Sequence, residues 1–275
     1  MRRLTPLLVL FVAAACHGER QNLNAFSWSR ELAPGGTVRI RNTNGTVTVV
    51  PSTSGRAARV QAATHWRRGN PERDLKFVAL SEGNDATICV HWGTGTCTAT
   101  EYTSHRSRTF MGLFSGRGTD ARVDFTVEVP PGTRVDVSTI NGELMVTTQS
   151  PVMARTVNGG IHVATAIGPV SAKTVNGGVD VRMTTIGDAG DVSAETVNGD
   201  VSLYVPSTVE GQVTLSTTNG SPTSWFSLGG VGASKKRLEG QLGTATRAIV
   251  AHTVNGSVTL GALDAQGKVM GQQTP

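Results

Sequence analysis

Histidine, aspartate and serine recur at matched positions in this chain of 275 residues. Met145, His162, Asp180, Ser202 and Thr259 each stand three residues after the glycine of an Asn-Gly pair. Three of these are the residue types of a hydrolase triad, in which a base within hydrogen-bond reach takes the serine proton and a carboxylate orients it. If the repeats stack in register, Ser202 adjoins Asp180 and lies two repeats from His162, about 9–10 Å. That order leaves the base out of reach of the nucleophile. The column therefore reads as a solvated face of mixed polar residues.

Other chemical signals are weaker. There is no P-loop, HExxH, GxSxG or paired Cys/His metal spacing. "GDAGDV" at 187–192 has a faint likeness to a calcium-binding nonapeptide and reads as a turn. His65, His91, His105 and His252 are scattered, so a metal site would have to be assembled by the fold. An enzyme acting on polysaccharide would need clustered carboxylates or basic residues on one coil face, and the post-turn residues Glu143, Gly160, Gly178, Asp200 and Ser257 supply no obvious cluster. We expect no catalytic residue, no metal and no cofactor.

The elements that would position such residues are set by a repeat. Asn-Gly occurs at Asn44-Gly45, Asn141-Gly142, Asn158-Gly159, Asn176-Gly177, Asn198-Gly199, Asn219-Gly220 and Asn255-Gly256. With 12 Asn and 33 Gly, chance would give roughly one or two such pairs, so the seven mark an internal repeat. From Asn141 the steps are 17, 18, 22, 21 and 36 residues. The last is twice 18, which predicts a copy with a degenerate turn between Asn219 and Asn255. Thr139, Thr156, Thr174, Thr196, Thr217 and Thr253 stand two before the Asn. After the Gly, apolar residues alternate, as in Ile161/Val163 and Val179/Val181, which puts them on one face of a strand. Gly220 departs from this with Pro222 and Ser224 and reads as a terminal or interrupted coil.

Such units bury an apolar face only by stacking, which is the logic of a β-solenoid. Gly takes φ > 0 without penalty and Asn tolerates it, so the pair suits a corner; aligned Asn side chains can also form a ladder. The alternative fold is an antiparallel sandwich or meander, because Asn-Gly is also the type I′ hairpin signal. Either way the chain reads as all-β, with Val and Thr dominant in the patterned regions. The solenoid is expected over 133–262, after an N-terminal β region over 37–132 and before a tail over 263–275.

Two features mark the N-terminal region. Cys89 and Cys97 flank a Gly-rich turn, and a hairpin loop centred on Gly93 would set them opposite one another as a disulfide. Closing so short a loop contributes roughly 2–3 kcal/mol in the chain-entropy model. The segment 103–121 is a long Ser/Arg/Gly-rich loop with an apolar centre. It is either an insertion folded onto the body or a tip that touches a partner or membrane.

The first 15 residues read as a signal peptide, with Arg2-Arg3 before a short apolar run that cannot span a bilayer. Ala13-Ala14-Ala15 before Cys16 resembles a bacterial lipobox, although Leu is commoner at the first of these positions. That resemblance implies lipidation at Cys16, with 16–36 as a tether. Loss of Arg2 and Arg3 takes the formal charge from +5 to +3, and no basic stripe with interleaved aromatics points to nucleic acid. The oligomeric state is left open.

"GTVRIRNTNGTVTVV", "ARVDFTVEVPPGTRVDVSTING" and the serial "TVNGGIHV", "TVNGGVDV" and "TVNGDVSL" together resemble a bacterial family of domains of unknown function carrying the label "putative adhesin". The resemblance covers about Thr37 to Leu260. It implies a β-solenoid-like, extracytoplasmic or envelope-associated protein without established catalytic residues. The Cys89/Cys97 pair and the 103–121 segment depart from it. The expected function is thus a lipid-anchored envelope protein whose repetitive β-domain is a non-catalytic binding or scaffold surface for an envelope glycan or protein. The alternative is a polysaccharide-acting enzyme on a β-helical scaffold. His17, where an inner-membrane retention Asp would stand, favours the outer membrane by the same lipoprotein resemblance.

Overall fold

The Asn-Gly pairs are corners joining two facing β-sheets of 10 and 11 strands. The computed structural model describes residues 20–53, 55–104, 119–186 and 190–270. The segment expected to be a signal peptide, Cys16, most of the 103–121 segment and residues 187–189 of the stretch expected to be a turn lie outside them.

The N-terminal part comprises β1 (Arg20–Glu31), β2 (Thr37–Arg41), β3 (Val47–Pro51), β4 (Ala57–Arg68), α1 (Pro71–Asp74), β5 (Leu75–Glu82), β6 (Asp85–Trp92) and β7 (Asp120–Val129). Four regular coils follow: β8 (Arg134–Ser138) with β9 (Leu144–Thr148), β10 (Val152–Arg155) with β11 (Ile161–Thr165), β12 (Val170–Lys173) with β13 (Val179–Met183), and β14 (Val192–Glu195) with β15 (Val201–Pro206). The chain ends with β16 (Gly211–Asn219), β17 (Pro222–Ser224), β18 (Gly229–Ala233), β19 (Arg237–Leu242), β20 (Ala248–Asn255) and β21 (Val258–Leu263).

In each coil the first strand lies in the 11-stranded sheet, the corner crosses, and the second strand lies in the 10-stranded sheet. Successive coils pair in parallel without slippage: Ile161 faces Val179, Val179 faces Val201, and Val201 faces Val258. The period-two alternation fixes this register, because a one-residue slip would turn every apolar side chain to solvent. Leu144, Ile161, Val201 and Val258 are completely buried, a gain of about 1.5–3 kcal/mol per side chain. Opposite them Ala154, Ala172, Ala194 and Ala251 form a column of small residues two before each corner threonine. A crossing of only a few residues brings the sheets close there, and small side chains fit the narrow gap. The stacked-coil fold therefore holds. Among the described residues, antiparallel pairing between named strands occurs at the two ends, at β1–β4–β7, β5–β6, β16–β19 and β18–β19.

Stack order departs from chain order at both ends. β6 pairs in parallel with β2, and β7 with β3. These strands form an extra coil outside the first Asn-Gly coil, with no Asn-Gly pair between them in the sequence. At the other end β20 and β21 insert between the coil of β14/β15 and that of β16/β17. The 36-residue step therefore hides no degenerate copy: 222–247 hold the short edge strand β17 and the antiparallel pair β18/β19. Asn219 belongs to the terminal coil, as Pro222, which cannot donate to a ladder, requires of an edge.

Three further differences concern boundaries. Within the expected tether, Arg20–Glu31 is a strand pairing antiparallel with β4. Its polar composition hides a short alternation of Phe26 and Trp28, which pack on the core; Phe26 stacks on Phe77 at 5.2 Å. Cys89 and Cys97 do form a disulfide, but not across a hairpin centred on Gly93. Cys89 faces Val78 and Arg41 in the sheet, and Cys97 bridges to Tyr102. In the expected tail, Leu263 ends β21 and bridges back to Val269.

Candidate functional site

Each residue of the Thr-x-Asn-Gly corner has a separate task. The threonine is buried and its hydroxyl donates to the glycine carbonyl of the neighbouring coil: Thr174 to Gly159 at 2.9 Å, Thr196 to Gly177 at 2.8 Å, Thr253 to Gly199 at 2.8 Å. In the first corner buried Asn42 replaces it, donating to the Gly45 and Val123 carbonyls at 3.2 and 2.8 Å. The next residue is outside: Ile140, Val157, Val175 and Val197 are each about two-fifths exposed. The asparagines form one continuous amide ladder. Nδ2 of Asn141, Asn158, Asn176, Asn198, Asn255 and Asn219 donates in turn to Oδ1 of Asn44, Asn141, Asn158, Asn176, Asn198 and Asn255, at 2.7–2.8 Å. The glycine is fixed by a close approach. A Cβ on Gly177, at φ 150°, would lie 2.1 Å from the Gly159 carbonyl oxygen.

The outward column on the 10-stranded sheet has the expected order: Met145, His162, Asp180, Ser202 and Thr259 are successive register partners. His162 meets Glu143 at 3.1 Å and Asp180 meets Arg182 at 3.0 Å, so neither serves Ser202. A serine–histidine contact does occur on the other sheet, where sequence reasoning did not look. Ser216, His252 and Glu195 are register neighbours, with Ser216 Oγ 2.9 Å from His252 Nδ1. Burial raises the Glu195 carboxyl, but hydrogen bonds from Lys173 and Ser193 and the charges of Lys173 and His252 outweigh it and hold it below the usual carboxylate range. Lys173 and Ser193 are 2.9 and 2.8 Å away. The N–H groups of β16 point along the sheet to β19 and β20, so none stands over Ser216 to stabilise an oxyanion.

A concave site lies at the Asn44 end of the ladder. β4 supplies His65, Trp66 and Arg67, β7 supplies Asp120 and Arg122, and the corners supply Asn44 and Asn141; together they line a groove of about 530 Å³. Antiparallel pairing sets His65 opposite Arg122 and Trp66 opposite Ala121. Asp124 holds His65 and Arg122, each at 3.3 Å. The only sequence hint was a Trp followed by two Arg at the end of a strand; its partner segment is more than 50 residues away. Among the described residues no three of His, Cys, Asp and Glu are grouped to hold a metal ion.

The sequence profile of the family described as Toastrack DUF4097 matches residues 114–261, more than half of the chain. A solved structure of a "putative cell adhesion protein" from Clostridium sporogenes is 10% identical over 86% of this chain and 99% of its own, with a TM-score of 0.46. One of a "putative adhesin" from Bacteroides fragilis is 8% identical over 89% and 98%, with a TM-score of 0.40. No curated protein matches the chain.

Proposed function

This chain belongs to the Toastrack DUF4097 family, and we propose that it is an exported envelope protein whose stacked β-domain is a non-catalytic binding or scaffold surface. In this reading Cys16 carries the lipid that anchors it, in the outer membrane where the cell has one. The observation that carries the reading is the division of labour within each coil. Thr, Asn and Gly are committed to holding the corner, with their polar groups spent on neighbouring coils. The outward positions are free to differ from coil to coil, as Met145, His162, Asp180 and Ser202 do. The result is a rigid face of in-register side chains about 4.8 Å apart, which suits an extended envelope glycan or protein.

A pull-down from cell-envelope extract tests this, with residues 17–275 as bait and a version lacking 103–121 for comparison. A specific glycan or protein retained by the bait is the expected result, and the comparison assigns it to the insertion or to the stacked body. An empty pull-down counts against a binding surface, and shortening of polysaccharide in the extract favours the enzyme alternative. For the anchor, labelling with radioactive palmitate should fall in a Cys16→Ser variant, and unchanged labelling removes that claim.

A further inference from the structure

The geometry points to a neutral-saccharide site on the outward face of the 10-stranded sheet, near its β17 edge, with Tyr204 and Trp225 as the aromatic platform and the hydroxyls of Ser202, Thr223 and Thr259 as the groups that hold the sugar. The inference rests on the reading of this protein as a binding surface and names the place and the ligand class.

Three of the four tryptophans, Trp28, Trp66 and Trp92, pack on the core, and Trp225 does not. Trp225 follows the edge strand β17, and its backbone N–H donates to the Leu260 carbonyl at 2.9 Å, which sets it beside Gly261. Thr223 faces Thr259 and Ser224 faces Leu260, so the alternation puts Trp225 on the outward face with Thr223. Tyr204 is the register partner of Gly261 on the other side and shares the outward face of β15 with Ser202. Both rings are partly exposed. They meet edge to face above Gly261, with centroids 5.9 Å apart. A Cβ on Gly261 would lie 2.6 Å from the Tyr204 ring and 3.2 Å from Trp225. The matching outward positions of earlier coils hold Thr147, Ala164 and Arg182. A glycine weakens a strand interior and marks a close approach; here it leaves the space in which two outward rings converge.

Beside the rings runs the column of Asp180, Ser202, Thr259 and Thr223, successive register partners about 4.8 Å apart. Among the described residues the hydroxyls of Ser202, Thr259, Thr223 and Tyr204 make no hydrogen bond. A sugar ring matches this pairing of surfaces. Its C–H side suits a rigid aromatic face, and its hydroxyls donate and accept as those of serine and threonine do. The charge of the patch favours a neutral ligand. Arg182 Nε meets Asp180 at 3.0 Å, and its guanidinium carbon lies 5.4 Å from the Tyr204 ring centre. A phosphate or uronate would have to compete with Asp180 for it. A peptide strand has little to join, since β17 is three residues long and begins with Pro222, which has no N–H to give.

The test is titration of the full chain with chitotriose, maltotriose and cellotriose, following tryptophan fluorescence and calorimetry, with tri-galacturonate, AMP and tri-alanine as anionic and peptide probes. At least one neutral saccharide is expected to bind with Kd on the order of 0.1–1 mM, more tightly than those three. Trp225→Ala should weaken it by roughly tenfold or more while leaving the unfolding midpoint close to the parent's, because this indole lies off the core. Trp225→Phe, which keeps an aromatic face, should restore part of the loss. Gly261→Ala, which keeps both rings and pushes them apart, should also weaken binding, and the distant Ser216→Ala should do nothing. The inference is overturned if no neutral saccharide binds, if tri-galacturonate, AMP or tri-alanine binds more tightly, or if Trp225→Ala binds like the parent. Envelope material retained equally by the parent and by Trp225→Ala would sink this site and leave the binding surface standing; no retention by the parent would sink both.

Discussion

Gly177 and Gly178 are adjacent, and the structure gives them opposite tolerance for a methyl group. A Cβ on Gly177 would stand 2.1 Å from the Gly159 carbonyl oxygen, whereas on Gly178 its nearest neighbour would be the Asp200 oxygen at 3.4 Å. A carbon–oxygen contact needs about 3.3 Å, so Gly177→Ala must open the corner by about 1.2 Å. Four hydrogen bonds tie these two corners together: Asn176 N to Val157 O at 2.8 Å, Gly159 N to Asn176 O at 2.8 Å, Thr174 Oγ1 to Gly159 O at 2.9 Å, and the Asn176–Asn158 amide bond at 2.8 Å. Opening by that amount stretches each to about 4 Å, beyond bonding range. At about 1 kcal/mol net apiece, with about 1–3 kcal/mol for an alanine held at a glycine conformation, the loss is about 5–7 kcal/mol. That rivals the roughly 5–15 kcal/mol that hold a typical domain folded. Gly178→Ala should be neutral or stabilising by up to about 1 kcal/mol. Urea unfolding followed by circular dichroism measures both. Midpoints corresponding to stabilities within about 1 kcal/mol of each other would refute the close-approach account. The chain's own coils agree with it: after the corner glycine stand Glu143, Gly160, Gly178, Asp200 and Ser257, while the corner itself is always Gly.

Three further outcomes follow from the same geometry. Thr196→Val leaves the Gly177 carbonyl without its 2.8 Å donor and should cost about 1–3 kcal/mol, whereas Thr196→Ser should lose only the methyl, near 1 kcal/mol; equal losses in urea unfolding would contradict the buried bond. Cys97→Ser opens a loop of separation 8 and should lower stability by about 2–3 kcal/mol, with a matching loss in the reduced parent. Burial first, then the charge of Lys76, hold the His91 imidazole below the usual histidine pKa. The unfolded chain therefore takes up a proton that the folded one refuses. This contribution is present above about pH 6.5 and is lost as pH falls below it. His91→Asn should flatten that part of the pH–stability profile, and an unchanged slope between pH 6.5 and 5 would exclude His91 as its source.

The repeat was legible because its constraint is local. Every coil must turn in four residues and bury two, so Thr, Asn, Gly and the alternating apolar pairs recur at readable spacing, and the register of His162 beside Asp180 follows from counting. What the sequence concealed depends on pairing partners distant along the chain. Arg20–Glu31 carries too little alternation to announce a strand, yet β4 provides nine partners for it. The cysteine spacing is right for a disulfide, but Cys97 follows a bridge to Tyr102 rather than a hairpin about Gly93. The order of the last two coils is likewise invisible to a ruler laid along the chain, since the 36-residue step gives the same count whether a coil is degenerate or displaced. The groove required β4 and β7 to be paired before Trp66 and Arg122 could be seen together.

The interruptions also concentrate the chemistry. Within a regular coil nearly every position is spoken for: small or aliphatic inside, Thr and Asn in ladders, Gly at the crossing. A large aromatic fits poorly where the sheets close to an alanine column, and all four tryptophans, Trp28, Trp66, Trp92 and Trp225, fall outside the regular coils. At the Asn44 end the ladder stops because the sequence between β6 and β7 holds no Asn-Gly pair to continue it. The polar group that another asparagine would have satisfied is left at the groove, beside Trp66 and Arg67. A stack whose interior is uniform thus gathers its irregular side chains where its period breaks. Substitutions should therefore divide by position. Those at the corner Thr, Asn and Gly should lower stability without altering what is bound, those at the exposed Arg67 and Asp120 should leave stability nearly unchanged, and Trp66→Ala should lower it, because the indole packs on the core. A corner variant that still folds yet loses binding selectively would show the two to be coupled.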